Sequence, residues 1–209
     1  MKYTLSLFVA LMAAQISFAQ TAIQAASNQG WSAADRQYLS TNLSRSLDEL
    51  IAETKDLTPD QWNFKESPDR WSIAQIVEHI GIWELLMQRE ISQALGQGPK
   101  PELLKESKPD SVGYIFIMEE KKHYSDEYTK PFTFAQPLGA MGGEAALKWV
   151  TKMRRESLDF VNSTDKDLRS YSQMKNRGTV HQVYITTFGH MDRHLRQIRK
   201  VKANEKFPK

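Results

Sequence analysis

The stretch 71-WSIAQIVEHIGIWELLMQREISQALGQGP-99 decides the fold class. Ser72 stands three residues before Gln75, the spacing of a capping box, and Trp71 can pack on Ile76 as a hydrophobic staple. Ile73, Ile76, Val77, Ile80, Trp83, Met87, Ile91 and Leu95 then recur at the three- and four-residue steps of one helix face. Gly96-Gln97-Gly98-Pro99 ends the pattern.

The same periodicity returns three more times. Ser32 followed by Asp35 reads as a cap, after which Leu39, Leu43, Leu47, Leu50 and Ile51 mark a helix to about Thr54. Thr58, Pro59 and Gln61 have the positions of a short capped turn. A third long helix opens near Glu144 and buries Leu147, Val150, the aliphatic stem of Arg154, Leu158 and Val161. The fourth begins after Gly178-Thr179, with Val180, Tyr184, Thr187, Phe188, Met191, Leu195 and Ile198 on one face. Four amphipathic helices with no run of alternating strands predict an all-α, antiparallel four-helix bundle with a long connection between helices two and three. That connection, about 96–143, holds most of the prolines and glycines, and within it Gly113 to Met118 reads equally as a strand or a buried helical turn.

The first residues set a compartment. One lysine, an apolar run from about Leu5 to Ala14 and the small-x-small pattern Ser17-Phe18-Ala19 predict a signal peptide over 1–19. The run is shorter than the roughly 18 residues that a membrane span needs, so a secreted or periplasmic location is expected, without stable membrane insertion. Residues 20–30 are small and polar and predict a loose arm, leaving 31–209 as one domain. No cysteine is present, which excludes disulfides, thiolate ligands, a cysteine nucleophile and a lipid anchor at the cleavage site. The formal charge of +3 becomes +2 once Lys2 leaves with the leader, too small an excess to argue for nucleic acid. Arg193, Arg196 and Lys200 read accordingly as a solvated stripe.

Five histidines remain to be explained: His79, His123, His181, His190 and His194. At about 100° per residue, His190 and His194 share one flank of the last helix's apolar stripe and His181 lies on the opposite flank. His79 stands at the border of the stripe on helix two, one turn before Trp83. Three imidazoles can thus meet in a groove between two helices, a common way for bundles to bind metal; ordinary half-buried, hydrogen-bonded histidines account for the same residues. Without cysteine the remaining ligand chemistry suits Zn²⁺, Ni²⁺, Fe²⁺ or Mn²⁺ rather than copper(I) or clusters.

The order WSIAQIVEHI over 71–80, followed about 110 residues later by His190-x-x-x-His194-x-x-Gln197-Ile198, resembles the DinB-like family of four-helix-bundle metalloproteins. The phrases LTPDQWNFKESPDRWS (57–72), FAQPLG (134–139) and VKANEKFPK (201–209) are similar to an exported branch of it. The resemblance implies that His79, His190 and His194 bind one divalent metal, zinc before nickel, iron or manganese, with positions left open to water. His123 and His181 match nothing in the motif and are expected to be structural or exposed.

With such a site the expectation is a metal-dependent hydrolase acting on a small molecule that the sequence does not identify. A binding protein without turnover and a metal-assisted, thiol-dependent transferase, the latter implied by the resemblance, are the alternatives. Tyr114, Phe116, Phe132, Phe134 and the Pro137-Leu138-Gly139 turn are expected to cover the groove. Glu78 and Glu84 are the candidate general bases, with Glu78 expected on a solvated face, and Gln197 is either an orienting partner for a ligand or a plain surface amide. The architecture also admits a homodimer.

Overall fold

A computed structural model describes residues 30–102, 107–119, 135–172 and 178–209. The expected leader over 1–19, all but Gly30 of the arm over 20–30, His123, Phe132 and Phe134 lie outside the described residues. Helices are α1 (Ala33–Thr54), α2 (Pro59–Asn63), α3 (Ile73–Gly96), α4 (Asp110–Met118), α5 (Gly143–Ser163) and α6 (Val180–Lys202), and no strand occurs among the described residues. None of the described helices is long and apolar enough to cross a membrane.

Local chemistry explains where the helices start. Ser32 with Asp35, Thr58 with Gln61 and Ser72 with Gln75 each form a reciprocal capping box, and Thr179 with Gln182 forms a fourth. Each such cap contributes about 1 kcal/mol and fixes a helix start to the residue. Gly142 caps α5 without a side chain, and that helix begins at Gly143, where a Cβ would lie 2.1 Å from the Trp62 ring.

The long helices pack so that α1 and α3 each touch both α5 and α6. Two apolar clusters result. Leu50, Ile76, Ile80, Val150, Met191 and Leu195 belong to one, and Leu39, Leu43, Met87, Ile91, Val161 and Phe188 to the other. Each long helix also buries a polar residue near the changeover from one cluster to the other: Ser46 on α1, Glu84 on α3, Arg154 on α5 and Thr187 on α6. Arg154 joins them all. Its guanidinium donates to Glu84 Oε1, to Ser46 Oγ, to the Leu43 carbonyl at 3.0 Å and to the Thr187 carbonyl at 3.4 Å. The expectation that only its stem is buried is corrected: Arg154 is 0 % exposed, because hydrogen-bond acceptors on three neighbouring helices replace water around the head group. Leu147 and Leu158, expected in the core, are only partly buried.

The connection contains α4, so the Gly113–Met118 ambiguity resolves as helix. It lies on α6, with Tyr114 against Phe188 at a centroid distance of 5.8 Å. Gly189 makes the close approach possible, since a Cβ there would stand 3.0 Å from the Tyr114 ring. Tyr114 also donates to Asp192 Oδ2 at 3.0 Å, and Arg45 of α1 grips both oxygens of the same carboxylate at 3.0 and 2.8 Å.

Candidate metal centre

Helix α3 supplies His79, and α6 supplies His190 and His194 one turn apart. Their ring centroids are separated by 5.2 Å (His79–His190), 4.8 Å (His79–His194) and 4.4 Å (His190–His194). Each offers one nitrogen within 4.8 Å of the other two, and no other such group of histidine and acidic side chains occurs among the described residues. His79 and His194 are buried while His190 is partly exposed. Trp71 lies 4.8 Å from the His79 ring and Trp83 lies 5.4 Å from the His190 ring, so indoles flank the cluster on the α3 side.

Hydrogen bonds decide which nitrogens face inward. His79 Nδ1 is 2.6 Å from the Ala135 carbonyl, which can only accept, so Nδ1 carries the proton and the Nε2 lone pair is left for a metal. His194 Nδ1 lies 2.8 Å from the Gln197 amide oxygen, the partner that a proton on Nδ1 requires. The His194 and His190 Nε2 atoms are 3.1 Å apart. Two nitrogens held about 2.0–2.1 Å from one tetrahedral zinc stand about 3.3–3.4 Å from each other, so this pair fits an ion almost as it stands. The widest separation in the set, within 4.8 Å, has to close by about 1.4 Å at most. Burial pushes the His79 pKa down to about 4 and the positive Arg193 adds to the effect, while the Ala135 hydrogen bond opposes it. The ring is therefore neutral at pH 7, as a metal ligand must be.

Glu78 overturns an expectation. It does point away from the apolar stripe, but residues 135–139 cross that face as a strap, and Glu78 is 5 % exposed. Its Oε1 accepts from the Leu138 amide at 3.2 Å and its Oε2 from the Gly139 amide at 2.8 Å. Periodicity shows which way a side chain points and says nothing about what lies there. Ala74 and Gly81 on the same flank signal close packing there, but by α5: at Gly81 a Cβ would meet the Trp149 ring at 2.5 Å. Glu84, the other candidate base, is committed to Arg154. Of the expected cover, the Pro137-Leu138-Gly139 turn lies over α3 while Tyr114 packs on α6, and Phe116 is exposed.

His181 is structural, as expected. Trp31 Nε1 donates to its Nδ1 at 3.0 Å, and its Nε2 lies 3.1 Å from Asp110 Oδ2 and 3.0 Å from the Arg169 guanidinium. Arg196 donates to the Met118 carbonyl, and Lys200 is exposed. A separate groove of about 1050 Å³ between α1 and α5, with Trp62 and Trp149 in its wall, contains none of the three histidines.

The model of the DinB superfamily matches residues 42–198, three quarters of the chain and all three histidines. The chain belongs to the DinB superfamily. No curated protein and no solved structure matches it. Within a DinB-superfamily chain, the group formed by His79, His190 and His194 is one that could hold a metal ion.

Proposed function

We propose that this DinB-superfamily protein is an exported metalloenzyme of hydrolase type, built as an antiparallel four-helix bundle over 31–209. His79, His190 and His194 hold one divalent metal, zinc before nickel, iron or manganese. The observation that carries the reading is the convergence of three imidazoles from two helices, each with one nitrogen within 4.8 Å of the other two. His79 and His194 each spend Nδ1 on an oxygen acceptor, which turns Nε2 inward from two helices towards a common point.

A divalent metal on three neutral ligands supplies a Lewis acid and lowers the pKa of a bound water towards 7. The chain's own part is positional. Ala135 and Gln197 fix the ring orientations, the indoles of Trp71 and Trp83 flank the imidazoles, and Arg193 adds positive charge near His79. Three uncharged ligands leave the full charge of the ion to be met by a small-molecule substrate or its leaving group. Neither nucleic acid nor membrane insertion enters this reading, and a homodimer is compatible with it.

Elemental analysis of the purified protein, with ester, amide and phosphate substrates assayed with and without chelator, tests it. One metal per chain and chelator-sensitive turnover are expected, both lost in His190→Ala. Stoichiometric metal with no turnover would reduce the protein to a metal or ligand carrier. Export is checked separately by sequencing secreted material, whose first residue is expected to be Gln20 after cleavage behind Ala19.

A further inference from the structure

The strap over α3 has three anchors, and adjacent residues of one helix hold all of them. His79 holds the Ala135 carbonyl at one end, and Glu78 holds the amides of Leu138 and Gly139 at the other. Gly139 sits at φ 71°, a left-handed conformation that glycine adopts without strain, and a Cβ there would stand 3.1 Å from the Gln75 side-chain nitrogen. Ala135 is completely buried, so its carbonyl has no water to turn to.

We infer that Glu78 is the positioning residue of the metal centre: by gripping the Leu138–Gly139 turn it holds the Ala135 carbonyl that keeps the His79 proton on Nδ1. This rests on the metal-site reading above. The physical need is clear from the alternative. If the strap drifts, the buried Nδ1–H loses its acceptor, and a neutral imidazole can then place its proton on Nε2, the atom a metal requires bare. A carboxylate suits the task because its two oxygens accept two amides at once through charge-assisted bonds. Glutamine offers one oxygen and a clashing donor. The competing explanation is that Glu78 only staples a loop, with His79 keeping its own tautomer.

The two explanations separate by experiment on the full-length mature protein. Nitrogen-15 imidazole spectra of the metal-free protein read the His79 tautomer, and zinc affinity is read by competition with a chelating dye. In Glu78→Ala the expected outcome is loss of the single Nδ1–H signature and a Kd for zinc raised about 10- to 100-fold. Glu78→Gln should fall between this variant and wild type. Gly139→Ala disturbs the strap from its other side and should give the same spectrum, and the double variant should be little worse than the worse single one. It also serves as the test if Glu78→Ala fails to fold. An unchanged tautomer with zinc affinity within about twofold of wild type, whatever happens to the melting temperature, overturns the inference. A wild type that shows the tautomer but binds no zinc refutes the metal reading instead, and the spectra of the variants still decide the role of Glu78.

Discussion

Two polar islands lie between the long helices, one fully buried and one partly open to solvent, and they solve opposite problems. At the Arg154 island, a cation meets acceptors from three helices, and its bonds point inward to the protein itself. At the histidine island, Nδ1 of His79 and of His194 are satisfied by oxygen acceptors, and the nitrogens that remain are turned towards one another. A group whose partners are complementary in charge is holding the fold, whereas three like imidazoles gathered within 4.8 Å of one another form a set that could hold a cation.

Removing Arg154 should have the largest effect. Arg154→Ala strands the buried Glu84 carboxylate, already short of a partner for Oε2, and should cost about 3–5 kcal/mol by chemical denaturation. Combining Arg154→Met with Glu84→Leu should return most of that loss, since no charge is then left behind. A double variant as unstable as the single would mean that the island is not a compensated pair.

Acid should act next, through His79. Its folded pKa of about 4 lies below the ordinary 6.5, so the unfolded chain binds the extra proton first. Stability of the metal-free protein is thus complete above about pH 6.5 and falls on acidification until about pH 4, by about 3 kcal/mol in all. In His79→Asn, whose amide can still donate to Ala135, that slope should disappear from a pH series of denaturation curves. Asp110 is held well below the usual carboxylate range by His181 and Arg169 despite its burial, so its contribution is lost only at still lower pH.

Metal should add a smaller increment. Zinc at a hundredfold excess over Kd contributes about 2.7 kcal/mol, or roughly 5–10 °C in melting temperature. The gain should be present at pH 7.5, shrink at pH 5 as protons compete for the imidazoles, and vanish in His190→Ala. An equal shift at both pH values would place metal elsewhere. Smallest of the four is Gln197→Ala, expected to weaken zinc binding about tenfold, or about 1.4 kcal/mol, by dye competition. No change would make the His194–Gln197 bond incidental.

Much of the helical layout was legible because caps are local chemistry. Ser72 and Gln75 are three residues apart, and so are Ser32 and Asp35, so a linear reading finds them. The His190–His194 pair was legible for the same reason. His79 came from another helix: its place at the border of the stripe made it a candidate, and the family resemblance singled it out as a ligand. What stayed hidden has partners remote in sequence. Glu78 meets amides about 60 residues away in a strap without periodicity, and Arg154 meets Glu84 at a separation of 70. Both sit on helix faces whose direction is readable and whose neighbours are not.

The Arg154 island also works as a ruler. Along α3 it contacts Glu84, five residues or about 7.5 Å from His79, and along α6 it contacts Thr187, three residues or about 4.5 Å from His190. Sliding either helix by a single residue moves a ligand about 1.5 Å, against the roughly 0.2 Å that metal coordination tolerates. The same slip would pull an acceptor away from a guanidinium that has no solvent to fall back on. Axial alignment of the two ligand-bearing helices is therefore set at a distance from the site, by a residue that never touches it.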